Sequence, residues 1–170
     1  MGIPIWVLTI LYWVHILATV IWLGSQVIFA WLKHQEGKPG PNQVLYETLV
    51  HQYQRRLVAA GWLSLLFLAG TGMFQLSSNV NYHGFLVTNN LWGVAILIKH
   101  ILYAGLIGLN LYHTWGLAPA LERTRLRYSR GLTTAGDVVS RMRNQEAWLF
   151  RINLGLTLLI LVFTALARSA

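Results

Sequence analysis

The chain has 170 residues, of which 55% are hydrophobic and only 11% charged. Its mean hydropathy is +0.51, and a soluble domain would carry about 25% charged residues. A net charge of +8 raises nucleic acid as a partner, but the placement of the charge excludes it. There is no cysteine, so disulfides, thiolate metal sites, iron–sulfur clusters and covalent C-x-x-C-H haem attachment are excluded. Met1, Met73 and Met142 form no cluster, and a dedicated Cu(I) site favours such sulfur ligands.

Four stretches reach the roughly 20 apolar residues needed to cross a bilayer. They lie near Ile3–Leu32, Leu57–Leu76, Leu91–Leu117 and Ala147–Ala167. The expected fold is all-α, an integral membrane four-transmembrane-helix bundle forming one domain over residues 1–170. No Lys or Arg precedes the first apolar run, so that run is read as a retained helix rather than a signal peptide. Trp6 and Trp31 suit its two interfacial belts. Gly37–Pro41 breaks the chain, and Asn42 is a candidate cap for a second helix that carries His51 into Leu57. Lys33, Lys38, Arg55 and Arg56 lie between the first two spans.

A polar outer loop over Asn79–Asn90 contains His83, and Ser77–Asn90 lacks Lys and Arg. Pro119 is expected to end or kink the third helix. Arg123–Glu146, rich in arginine, reads as a soluble segment holding an interfacial helix. The asymmetry of the basic loops is the positive-inside pattern. It predicts a multi-pass protein of the cytoplasmic (inner) membrane with both termini outside. The basic surface then faces anionic headgroups rather than nucleic acid.

Each helix carries a polar stripe at helical spacing. The stripes are His15, Thr19, Trp22 and Gln26; Ser64, Thr71 and Gln75; Trp92, Lys99, Tyr103, Asn110 and His113; and Asn153, Thr157 and Thr164. Gly61 and Gly72 allow close approach. Inward-facing stripes are where membrane-protein cofactors sit.

Ionisable side chains in a span are costly, which makes His15, Lys99, His100 and His113 candidates for function. Imidazole is the commonest protein ligand to transition metals. His15 and His100 lie about 15–18 Å from the outer ends of their helices at about 1.5 Å per residue. That matching depth suits one haem iron ligated from both sides. His100 and His113 are 13 residues apart, which leaves them about 140° apart in azimuth. His113 therefore aligns with Lys99, and His51 or His34 becomes its candidate partner for a second, inner haem.

Lys99 suits a haem propionate, a proton relay or an amine ligand, so His–His and His–Lys ligation both stay open. It is also the one candidate for a catalytic role. Trp22, Tyr103 and Trp92 are expected to line the pocket. Arg56 and Arg151 are candidates for propionates or a quinone head group, against the simpler reading as positive-inside anchors. No carboxylate falls inside an expected span, which argues against a carboxylate-based pump or cation transporter.

Three segments resemble a known superfamily. WVHILATVIWLGSQVIF, RRLVAAGWLSLLFLAGTGMF and LWGVAILIKHILYAGLIGLNLYH are similar to the first three helices of CopD-type and HemJ-type membrane proteins. The HemJ-type resemblance implies haem-dependent protoporphyrinogen IX oxidation, with His15 and Lys99 as the functional residues. The CopD-type resemblance implies copper uptake. The function expected from the histidines is a b-type haem protein with one or two haems. It would carry electrons within or across the membrane beside other membrane subunits or a redox partner. The alternatives are a HemJ-like oxidase, a CopD-like copper transport protein and a non-redox accessory subunit.

Overall fold

The computed structural model describes residues 4–36, 43–79, 82, 84, 90–129 and 136–169. The described residues contain helices and no strand. Helix α1 runs Ile5–Glu36, α2 Gln43–Ser77, α3 Leu91–Leu111, α4 Ala118–Ser129 and α5 Gly136–Ser169. A π-helical segment, Tyr112–Leu117, joins α3 to α4. Asn42, Gly37–Pro41 and His83 fall outside the described residues. Four stretches are long and apolar enough to cross a membrane: Ile5–Leu32, Arg56–Ser77, Leu91–Thr124 and Asp137–Ser169. The chain is a multi-pass membrane protein.

The helix ends follow from local chemistry. The Pro4 carbonyl accepts from Val7 N and Leu8 N at 3.0 and 3.3 Å, starting α1. Asn90 is extended at φ −138° and its side chain accepts from Gly93 N at 2.7 Å, the usual geometry of an N-cap. Pro119 does not break its helix. It has no N–H and its ring crowds the carbonyl four residues back, which belongs to Trp115. The chain widens ahead of it, and Ala118 N–H reaches the His113 carbonyl, five residues back as a π-turn requires. Here the expected end or kink is corrected to a wide turn that keeps the chain helical.

The expected soluble segment, Arg123–Glu146, is helical over its described residues. Both neighbouring helices extend into it, α4 to Ser129 and α5 from Gly136. Their polar flanks favour helix once the apolar stretches beside them have nucleated one, because propagation is far cheaper than initiation.

The chain forms two compact units, Met1–Gly84 and Phe85–Ala170. In the first, α1 and α2 are antiparallel. Gln75 Nε2 donates to the Leu11 carbonyl at 3.4 Å, His15 meets Thr71, and Trp22 meets Gly61. Trp31 and Tyr46 meet edge to face, ring centroids 5.8 Å apart. The buried residues here include Ala18, Trp22, Leu32, Ser64, Leu65 and Thr71.

In the second unit α3 and the π-turn run antiparallel to α5, with Asn110 on Asn153 and Tyr112 on Gln145. Its core holds Trp92, Ala95, Leu106, Leu117 and Leu149. Outward faces carry Trp6, Trp13, Leu66, Trp115 and Trp148. Lipid tails are as apolar as leucine, so packing and interhelical hydrogen bonds hold each pair together rather than a hydrophobic drive between helices. Small residues and hydroxyls on the inner faces supply both.

Candidate metal-ligating sites

The first unit builds its site on His15. The His15 Nδ1 and Thr71 Oγ1 atoms are 2.7 Å apart. The single Thr71 hydroxyl proton is already donated to the Phe67 carbonyl. The oxygen therefore accepts, and His15 Nδ1 carries the proton. A hydrogen bond from Nδ1 to a second group is how the orientation of a histidine ring is held. The ring packs against Gly72, where a Cβ would stand in ordinary contact, 3.6 Å from His15 Cε1. One face away, Trp22 is 3% exposed and lies over Gly61, whose Cβ would be 3.2 Å from its ring. Ser25 is buried beside it and donates to the Trp22 carbonyl at 2.8 Å.

The second unit repeats the tautomer logic at His100. Its Nδ1 is 2.7 Å from the Ile96 carbonyl. A carbonyl only accepts, so Nδ1 donates. Lys99 and Tyr103 are half-buried on the same helix, and Arg168 of α5 is near enough for its charge to act on Lys99. Arg56 and Arg151 are exposed.

His113 lies in the π-turn, and its Nε2 is 3.4 Å from Glu146 Oε1. Glu146 is only 8% exposed although it carries a carboxylate. The fourth span was expected from Ala147; helix α5 begins earlier, at Gly136, and carries Glu146 one residue ahead of that expected span. The missed signal lay in the stripe itself. Glu146 precedes Asn153 by seven residues, two helical turns on the same face.

Toward the middle of the unit, Asn110 and Asn153 exchange amide hydrogen bonds, each 3.3 Å. Asn110 Nδ2 also donates to the Leu106 carbonyl at 2.7 Å, and Thr157 to the Asn153 carbonyl at 2.9 Å. His51 lies on α2 of the first unit, with its side chain outside the described residues. His15 belongs to the first unit and His100 to the second. His34 is exposed. Among the described residues no group of three or more His, Cys, Asp or Glu side chains gathers as a metal cluster.

Four apolar spans with polar inner faces define a multi-pass membrane protein. The chain belongs to the CopD family, copper resistance protein D, whose model matches residues 51–167. The match covers the spans that hold Lys99, His100, His113 and Glu146 and leaves His15 outside. Neither the comparison with curated proteins nor that with solved structures finds a match.

Family membership overturns the haem electron carrier expected from the histidines, in favour of the copper alternative. The physical reason for the error is the ligand itself. Neutral imidazole binds copper as well as haem iron, so buried histidines alone do not separate the two. The HemJ-type half of the resemblance finds no counterpart of its own.

Proposed function

We propose that this chain handles copper in the membrane, moving the ion across the bilayer or receiving it there. The observation that carries the reading is its membership of the copper resistance protein D family over residues 51–167. The chemistry of the spans supports it. With no cysteine and no methionine cluster, nitrogen is the ligand on offer. His15 and His100 each have Nδ1 engaged in a hydrogen bond, which fixes the orientation of the ring. Imidazole accepts copper readily. The ion is cargo in this reading, bound and released in turn. Lys99 beside His100 deters cations from binding tightly there, which suits passage more than storage.

The cytoplasmic membrane is the proposed location, with the basic flanks of α1, α2, α4 and α5 on the inner side.

The test is copper accumulation. Sealed vesicles containing the purified protein take up copper faster than empty vesicles, and His100→Ala slows uptake. Equal uptake with and without the protein overturns the reading. Conversion of protoporphyrinogen IX by the purified protein, with no copper movement, would favour the HemJ-type activity instead.

A further inference from the structure

Helix α5 has an outer face that the copper reading does not use. Its inner side carries the buried Glu146, Leu149, Asn153 and Thr157. At about 100° per residue, Arg141, Asn144, Gln145 and Arg151 all fall within about 60° of Trp148 on the other side. All five are exposed, Trp148 at 62%. One hydrogen bond ties this face to the neighbouring element: Gln145 Nε2 donates to Tyr112 Oη at 2.9 Å. The Tyr112 ring lies over the π-turn at Gly116, where a Cβ would stand only 3.3 Å from Tyr112 Cδ2. Tyr112 is itself 48% exposed. The six side chains therefore form one surface carried by two elements, not a stripe on a single helix.

Depth places this surface at the lipid headgroups. Tyr112 follows Leu91, the start of α3, by 21 residues, and Trp148 precedes Ser169, the end of α5, by the same 21. Each lies about 31 Å from that far end at about 1.5 Å per residue, against about 30 Å of hydrocarbon. Two amphipathic rings thus stand together at one boundary, where such rings are enriched. Arg141 lies two turns beyond Trp148, in the headgroup layer. Arg151 lies one turn short of it, with an apolar stem that lets its guanidinium snorkel to the same layer.

The donors match a phosphodiester. Guanidinium groups bind phosphate oxygens through paired, charge-assisted hydrogen bonds. The Asn144 and Gln145 amides carry two N–H donors each, of which Gln145 gives one to Tyr112, and the accepting Tyr112 hydroxyl keeps its own proton. The rings offer apolar surface to the lipid's glycerol and first acyl carbons. Arg123 and Arg127 of α4, also exposed, add positive charge at this end of the unit. A zwitterionic headgroup would bring its own cation among these arginines, so charge complementarity selects a lipid of net negative charge.

We propose that Tyr112, Gln145, Trp148, Arg141 and Arg151 bind one anionic phospholipid at a fixed place on the second unit. A diffuse attraction of basic loops to a charged membrane falls off with distance and needs no particular residue. This site does, because its donors are grouped around two rings. The headgroup braces α5 against the π-turn. The site is independent of what the protein transports.

The experiment uses the full chain in phosphatidylcholine vesicles containing a small fraction of phosphatidylglycerol. Either lipid carries brominated chains, which quench tryptophan fluorescence on contact. The Trp148 signal is the difference between the wild type and Trp148→Phe. Brominated phosphatidylglycerol is expected to quench it several-fold more than the same fraction of brominated phosphatidylcholine. Arg141→Gln and Arg151→Gln each reduce that preference, while Arg56→Gln, which removes the same charge from the first unit, keeps it. All three positions are exposed, and unchanged circular dichroism verifies the fold.

Equal quenching by the two lipids overturns the site. So does an equal loss in all three variants, which would reduce the effect to net charge. A preference abolished by added inorganic phosphate assigns the donors to a soluble anion and overturns the lipid.

Discussion

At the scale of single residues, the tightest constraint is the contact of Trp22 with Gly61. An alanine Cβ at 3.2 Å from the ring demands a shift of a few tenths of an ångström, and a larger side chain demands much more. Gly61→Leu is expected to destabilise the protein by about 1–3 kcal/mol, the usual cost of overpacking, seen as a lower midpoint in detergent unfolding. Thr71 is constrained by direction rather than space. Thr71→Val removes the acceptor that holds His15 Nδ1–H and lets the ring tautomer drift. Outer-shell losses of this kind cost about 10–100-fold in metal affinity, and copper binding measured by dialysis checks it. Trp22 and Thr71 were legible as members of polar stripes, and Gly61 as a place of close approach. What no stripe discloses is which nitrogen each ring presents, because that depends on a partner atom from another helix or turn.

At the scale of elements, the pairing of α3 with α5 turns on the two asparagines. Their coupling in a double-mutant cycle with alanine is expected near about 0.6 kcal/mol, the average for interhelical hydrogen bonds in membranes, measured by unfolding of the four variants. The π-turn makes a sharper forecast. Pro119→Ala restores an N–H that can bond four residues back, so the wide turn can close to an ordinary α-turn. Unfolding is expected to need more denaturant, and the coupling between His113 and Glu146 in a mutant cycle is expected to fall as the imidazole rotates away. Periodicity fixed the inner faces of all four spans, and the buried Ser64, Thr71, Asn153 and Thr157 lie where it put them. It stopped short at the helix ends. Glu146 went unseen because an apolar window closes at the first charged residue, although the heptad step back from Asn153 pointed to it. A proline signals a disturbance, but whether the chain kinks or widens depends on packing that the local residues do not encode.

At the scale of the whole molecule, the basic flanks predict orientation. Reporter fusions to either end of the chain are expected to be active on the outer side of the membrane, and a fusion after Arg127 on the inner side. Reversing Arg123 and Arg127 to Glu would weaken that preference, because orientation follows Lys and Arg near the span ends. The four spans and the family likeness were readable from composition and helix sequence. The choice between haem and copper was not, since it rested on imidazoles common to both.

The helices are also longer than a membrane is thick. Helix α2 has 35 residues, about 52 Å at about 1.5 Å each, against about 30 Å of hydrocarbon. Its span begins only at Arg56, so the thirteen helical residues before it make a rod of about 20 Å at the same rise. The headgroup layer takes up only about 5–8 Å of that. The remainder stands in water as a rigid post, and a few degrees of tilt inside the lipid becomes a sideways swing of ångströms at its tip. Membranes of different thickness tilt spans differently, so the aqueous end of this protein would register bilayer thickness as movement.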